Sequence, residues 1–169
     1  MNSKFIFFWS DKDEDTGFLS QWYRCNKIDY CHDGYFTADG LEYNCAEQYM
    51  MAQKALLFKD GKSFNKIMKE KNPKEQQKLG RLVSNYNEDI WNENKYKIVR
   101  MGNILKFSQH TELRKKLIDL RSKCDSLVEA SPYDKIWGIG LKKDDPRALS
   151  MKDWNGQNLL GKILTELPF

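Results

Sequence analysis

Asn44-Cys45-Ala46-Glu47-Gln48-Tyr49-Met50-Met51-Ala52-Gln53-Lys54 marks the point where strand-like sequence gives way to helix-like sequence. Asn44 stands three residues before Glu47, the spacing of a capping box, in which the two side chains satisfy each other's backbone N–H groups. Apolar residues at 46, 49, 50, 56 and 57 then carry a helical period to about Phe58. Glu47 and Lys54, seven residues apart, share one face of that helix about two turns apart. Two readings of this face stay open. In one, Glu47 closes the cap and Lys54 is a solvated ammonium. In the other, a partly buried carboxylate is held ionised by the helix dipole and can steady a developing cation or orient a water molecule.

Upstream of this stretch, Phe5 to Trp9 reads as a short buried strand, and Asp33-Gly34 and Asp39-Gly40 flank Tyr35-Phe36-Thr37 as turns of a hairpin. Downstream, helices dominate. Gly61 to Lys71 places Phe64, Ile67 and Met68 on one face. Asn72-Pro73 is a cap followed by proline at the first helical position, opening a helix that ends near Gly80-Arg81. Asn87 opens a longer helix with Trp91, Ile98, Met101 and Leu105 at helical spacing, and Thr111 to Arg121 forms another over Leu113, Leu117 and Leu120. Ser126 to Ala130 reads as a strand, Asp134 to Leu141 as a glycine-containing turn or strand, and Gln157 to Leu167 as a final helix. No repeat or Pro/Gly-rich linker interrupts the chain. The expected architecture is therefore one α+β domain over residues 1–169, helix-dominated with a small β-sheet.

The composition limits what such a domain can do. Of 169 residues, 28 are Lys or Arg and 24 are Asp or Glu, for a formal net charge of +4. The cations are 22 Lys and six Arg, mostly interleaved with acids, as in Lys69-Glu70-Lys71. No run of five or six like charges marks a nucleic-acid tail, although a few cations can still gather around an anionic ligand. A 13% aromatic content argues against disorder. No apolar run approaches the ~18 residues of a membrane span, and the start meets acidic Asp11 to Asp15 too soon for a signal peptide. A soluble cytoplasmic protein without membrane contact is expected. Cys25, Cys31, Cys45 and Cys124 lack C-x-x-C spacing and are expected to be reduced, and with His32 and His110 alone no metal site is expected. No cofactor is implied.

Three further segments carry candidate chemistry. Gly80-Arg81 supplies a planar guanidinium beside a flexible residue, either to hold a phosphate or to cap its helix. Trp91 is a buried anchor or a stacking platform, and Lys106-Phe107 is helix surface or pocket wall. In Ser131-Pro132-Tyr133-Asp134-Lys135-Ile136-Trp137-Gly138-Ile139-Gly140, the D-x-x-W-G-x-G spacing sets an acid and an indole beside a backbone that a ligand can approach closely. The plainer alternative is a sheet-edge turn with an aromatic plug. Trp154-Asn155-Gly156-Gln157-Asn158-Leu159-Leu160-Gly161 ends on a helix start whose N–H groups meet a phosphate, or it is an Asn/Gly turn capping the last helix.

Taken in order, Phe18-Leu19-Ser20, Glu47-Gln48-Tyr49-Met50 with Ala52 and Lys54, Gly80-Arg81, Trp91, Lys106-Phe107, Leu127-Val128-Glu129-Ala130, the Asp134 to Gly140 motif and Asn155-Gly156-x-Asn158-x-Leu160-Gly161 closely resemble the NADAR superfamily, also called YbiA-like proteins. The resemblance runs from about Phe7 to Leu167 and departs from the bacterial pattern at Gln21-Trp22, where many members carry Asn-Phe. It implies hydrolysis of an N-glycosidic bond. The substrates it implies are phosphoribosylamino-pyrimidine intermediates of riboflavin biosynthesis, which release ribose 5-phosphate. A second implied substrate is ADP-ribosyl-guanine in nucleic acid, and a non-catalytic ADP-ribose-binding module is a third reading. The implied catalytic residues are Glu47, with Asp134 as a second acid and Lys54 as a charge or an imine-forming amine. Ser20, Arg81, Trp91, Lys106, Trp137, Gly138, Asn155 and Asn158 are the implied substrate-binding residues.

Overall fold

The computed structural model describes residues 3–24 and 35–169. Asp33-Gly34, Cys25, Cys31 and His32 lie outside the described residues. The chain divides into two compact units, Gln21–His110 and Met1–Ser20 with Thr111–Phe169, and helices outweigh strands in an α+β arrangement. No helix among the described residues is long and apolar enough to cross a membrane.

In the unit 21–110, strands β2 (Phe36–Ala38) and β3 (Leu41–Tyr43) pair antiparallel, Phe36 opposite Tyr43. The turn between them has Asp39 at φ 51° and Gly40 at φ 77°. Two successive left-handed residues match the twist of a tight hairpin, which is why Asp-Gly stands there. Phe36 and Tyr43 stack at 5.7 Å, and both rings meet Tyr49 of α1 (Ala46–Leu57), Tyr43 edge-on at 5.1 Å. Around α1 pack α2 (Gly61–Lys69), α3 (Pro73–Arg81) and α4 (Glu88–Gln109). Close approach is made possible by two glycines: Gly80 of α3 lies against the Met51 sulfur, and a Cβ on Gly102 of α4 would stand 2.7 Å from the Tyr49 ring.

The caps of α3 and α4 agree with their sequence signals, Asn72 accepting from Lys74 N at 3.0 Å and Asn87 from Ile90 N at 3.0 Å. The cap of α1 does not. Cys45, with extended backbone, is the cap residue, its Sγ accepting from Gln48 N, and Gln48 Oε1 reaches back to the N–H of Asn44 at 2.8 Å. The reciprocal logic is that of a capping box shifted by one residue, so the reaching side chain is Gln48 rather than Glu47. Asn44 instead bridges outward, from Nδ2 to the Lys71 carbonyl and from Oδ1 to Gln76 Nε2.

The inward face of α4 also differs from the expected stripe. Lys95, Val99, Gly102, Asn103, Lys106 and Phe107 are buried, whereas Met101 is 47% exposed. Polar residues can occupy that face because they find partners there. Asn103 donates to Gln21 Oε1 at 2.8 Å and to the Val99 carbonyl at 2.9 Å, and Lys95 donates to Asn92 Oδ1 at 2.6 Å.

In the other unit, β1 (Ser3–Phe8) and β4 (Cys124–Glu129) run parallel, Phe5 opposite Ser126 and Phe8 opposite Glu129. Helices α5 (Thr111–Arg121) and α6 (Leu159–Thr165) pack on β4. Phe5, Val128, Ala130, Ile139, Leu141 and Ala148 form the core, against which Trp154 lies, 5.4 Å from the Phe5 ring and donating its indole N–H to the Ala148 carbonyl. Asn158 fastens this core to α6. At φ 53° and 1% exposed, its Oδ1 accepts from Glu129 N at 2.9 Å and its Nδ2 donates to the Leu127 carbonyl at 3.1 Å. Replacing it by alanine removes both bonds and places an unfavoured side chain in the left-handed region. Asn158→Ala is expected to lose about 3 kcal/mol of stability, read as a lower urea midpoint with an unchanged slope.

Candidate functional site

The first turn of α1 sets a carboxylate in the interior of the unit 21–110. Glu47 is 2% exposed, and its backbone N–H donates to the Gln21 carbonyl at 2.9 Å. It stands in the first turn of α1, at the positive end of the helix dipole. Cys45, two residues before it, feels both the Glu47 carboxylate and the Lys106 ammonium. Lys106 is 0% exposed on the inward face of α4, its Nζ 5.4 Å from the centroid of the Tyr23 ring and 5.1 Å from that of Phe107. An acid and an ammonium are thus buried around the same short segment, where low dielectric strengthens the action of each charge on its surroundings.

Two turns along α1, Lys54 lies half-buried with its Nζ 4.5 Å from the Tyr86 centroid and 5.4 Å from that of Trp91. Burial pushes the Lys54 ammonium below the usual lysine range, the Arg81 guanidinium pushes the same way, and the Glu47 carboxylate pulls back. Glu47, Lys54 and Arg81 therefore act in one electrostatic neighbourhood, which is the face the seven-residue spacing foretold. Arg81 is exposed at the end of α3, its guanidinium bonded to Gln77 Oε1 at 3.2 Å. The arrangement offers a buried negative charge to a developing cation and, beside it, two positive charges and two aromatic faces to an anionic, ring-bearing ligand.

Tyr86 and Tyr23 belong to this group without having been singled out from sequence. The available signal for Tyr86 was its place between Arg81 and Trp91, one residue ahead of the Asn87 cap. Nothing in spacing marks Tyr23.

The remaining candidates lie in the other unit. Asp134 Oδ1 accepts from the backbone N–H groups of Ile136 and Trp137 at 2.8 and 2.7 Å, so the carboxylate shapes its own loop. The segment 134–140 is tied to 155–160 by main-chain bonds, among them Asn155 N to Ile139 O, Asn158 N to Gly138 O, Leu159 N to Ile136 O and Leu160 N to Trp137 O. The N–H groups of Asn158, Leu159 and Leu160 at the start of α6 are thereby taken by carbonyls of the first segment. Gly156 is required for this closeness, since a Cβ there would stand 2.8 Å from the Lys135 Cα, while Gly138 lies close to β4, where a Cβ would stand 2.8 Å from the Glu129 carbonyl oxygen. Trp137 is half-buried. Asn155 is exposed and, with Gly140, Lys142 and Arg147, lines a cleft of about 440 Å³. Ser20 is buried at the end of the 3-10 turn Gly17–Leu19.

Comparison with known proteins gives a consistent picture. The NADAR domain profile matches residues 7–168. The chain is 43% identical over 166 residues to N-glycosidase R617 of Acanthamoeba polyphaga mimivirus, covering 97% of this chain and 94% of that one. It is 32% identical over 129 residues to N-glycosidase YbiA of Escherichia coli K12, covering 76% and 71%. The NMR structure of E. coli YbiA superimposes with a TM-score of 0.74 at 28% identity, covering 99% of this chain and 84% of that one.

The Cys45 thiol at the cap of α1 is chemically silent. Burial pushes Cys45 up to about 12, leaving almost no thiolate at neutral pH, and the thiolate is the reactive form. Peptide-resolved labelling with iodoacetamide at pH 8 is expected to leave Cys45 unmodified in the folded protein and to modify it fully in urea. Rapid labelling of the folded protein would contradict this burial.

Proposed function

The chain belongs to the NADAR family, and from that membership we propose that it is a hydrolase of N-glycosyl compounds whose substrates are phosphoribosylamino-pyrimidine intermediates of riboflavin biosynthesis. The observation that carries this reading is the buried Glu47 carboxyl, which together with Arg81 acts on the half-buried Lys54 ammonium. Such substrates join an anionic ribose phosphate to a nitrogen heterocycle, and this neighbourhood meets each part with a matching group.

In the proposed reaction, water adds to C1′ of the ribose as the C1′–N bond breaks. The bonding electron pair leaves with the nitrogen, which takes a proton, and the ribose keeps the hydroxyl. Positive charge grows on C1′ and the ring oxygen only as the bond opens, so Glu47 stabilises the transition state more than the bound substrate. The same carboxylate orients the water and accepts its proton. Lys54 and Arg81 hold the phosphate, Trp91 packs against a ring of the substrate, and Lys106 acts from within on the Glu47 end of α1. Asp134, whose Oδ1 already serves two backbone N–H groups, keeps its loop in shape. Ser20, Trp137, Gly138 and Asn155 remain substrate-binding candidates of the other unit, whereas Asn158 acts as a structural tie.

The test is one assay measuring release of ribose 5-phosphate from phosphoribosylamino-pyrimidines beside release of ADP-ribose from modified guanine in DNA. Turnover of the first and not the second is expected. The reverse result would make the chain an ADP-ribosyl-guanine hydrolase, and turnover of neither would remove both enzyme readings. Glu47→Gln is expected to lower kcat by ~10³-fold while the protein melts within a few degrees of the parent. Lys54→Ala and Arg81→Ala are expected chiefly to raise KM, and a collapse of kcat in Lys54→Ala would instead assign that amine to imine formation.

A further inference from the structure

Tyr86 is an exposed aromatic residue on a tightly held piece of backbone. The residue is 47% exposed although it stands in the short segment between α3 and α4. That segment is pinned on both sides. Asp60 accepts from Ser63 N at 2.9 Å and from Ser84 N at 2.8 Å, and the Ser63 hydroxyl together with these two N–H groups holds its carboxyl well below the usual carboxylate range. Asn87 then caps α4 through Ile90 N, and Asn85 between them takes the left-handed conformation at φ 58°. The ring is further fixed by edge-on contact with Phe58 at 5.4 Å and 62°. Its placement is thus determined by the backbone and by Phe58, and it presents its face to the Lys54 ammonium at 4.5 Å.

We propose that Tyr86 is a positioning residue that acts through Lys54, its ring closing with Trp91 an aromatic box that holds the ammonium toward Glu47. This rests on the glycosidase reading for its consequence in catalysis, but the box itself does not. Four groups face Lys54: Glu47 on its own helix, Arg81 at the end of α3, Trp91 on α4, and Tyr86, whose own hydroxyl lies near Glu88. Of these, burial and Arg81 disfavour the protonated amine. Glu47 and the two ring faces favour it, because a ring quadrupole attracts a cation set over its face. Without the Tyr86 ring, the ammonium loses its nearer wall and its preferred direction, and only Glu47 and the more distant Trp91 oppose Arg81. The contribution belongs to the ring and not to the hydroxyl, so phenylalanine preserves it and leucine does not.

The experiment follows Lys54 Cε resonances in protein carrying 13C-lysine, titrated with pH in the absence of substrate. The parent and Tyr86→Phe are expected to titrate together, and Tyr86→Leu about half a pH unit lower. In the unaltered protein, ring current should also move the Lys54 Hε signals upfield, which keeps the proposal open to refutation if Tyr86→Leu fails to fold. Equal titration of all three proteins overturns it, as does a Tyr86→Phe shift as large as that of leucine, or absence of the upfield displacement. In the ribose 5-phosphate assay, Tyr86→Leu should lower kcat/KM about tenfold and Tyr86→Phe should restore it. A parent protein without turnover would defeat the glycosidase reading while leaving the titration to judge the box.

Discussion

The start of α1 is held by a network of neutral amides, and most of the unit 21–110 depends on it. Gln48 donates from one side chain toward the carbonyls of Ile67, Met68 and Glu70 at the end of α2. Its oxygen takes the Asn44 N–H. Gln76 of α3 donates to Asn44 Oδ1 and the Glu70 carbonyl and accepts from the Cys45 thiol. Three helices are thereby joined by groups that carry no formal charge. Buried amides of this kind are costly if any partner is missing and rigid when all are present. The network seats the first turn of α1 in the interior and so determines where Glu47 stands.

Charges are then added to this neutral frame in a graded way. Glu47 and Lys106 lie inside, Lys54 lies half-buried against two rings, and Arg81 lies at the surface. Such a gradient leaves Arg81 hydrated at the surface while the Glu47 carboxylate is already desolvated. Water around Glu47 would weaken the action of a charge there on its surroundings, and burial removes that screening.

The unit that carries Asp134 is built by other means. There the two motifs rich in glycine and asparagine bind each other through their main chains, and the chemistry their side chains suggested is partly consumed in doing so. Asn158 satisfies two backbone groups of β4, and Asp134 two of its own loop. A motif of small and amide residues at close spacing is what such zipping demands, since only they allow carbonyl and N–H groups to come within bonding distance.

Local signals were sufficient for the elements themselves. Asn72-Pro73 and Asn87 open their helices as read, α5 spans Thr111–Arg121 as read, and Asp39-Gly40 turns the hairpin, because caps and turns are decided by a residue's own backbone and its near neighbours. The seven-residue spacing of Glu47 and Lys54 likewise placed both on one face, a property of helical period alone. What the period could not supply was the identity of the cap at Cys45, the polar inward face of α4, or the rings of Tyr86 and Tyr23 against two lysines. Each depends on a partner distant in sequence: Gln76 for Cys45, Gln21 for Asn103, Tyr86 for Lys54. A polar residue reads as surface until its partner is known, so burial of charge and amide was decided only when the helices packed.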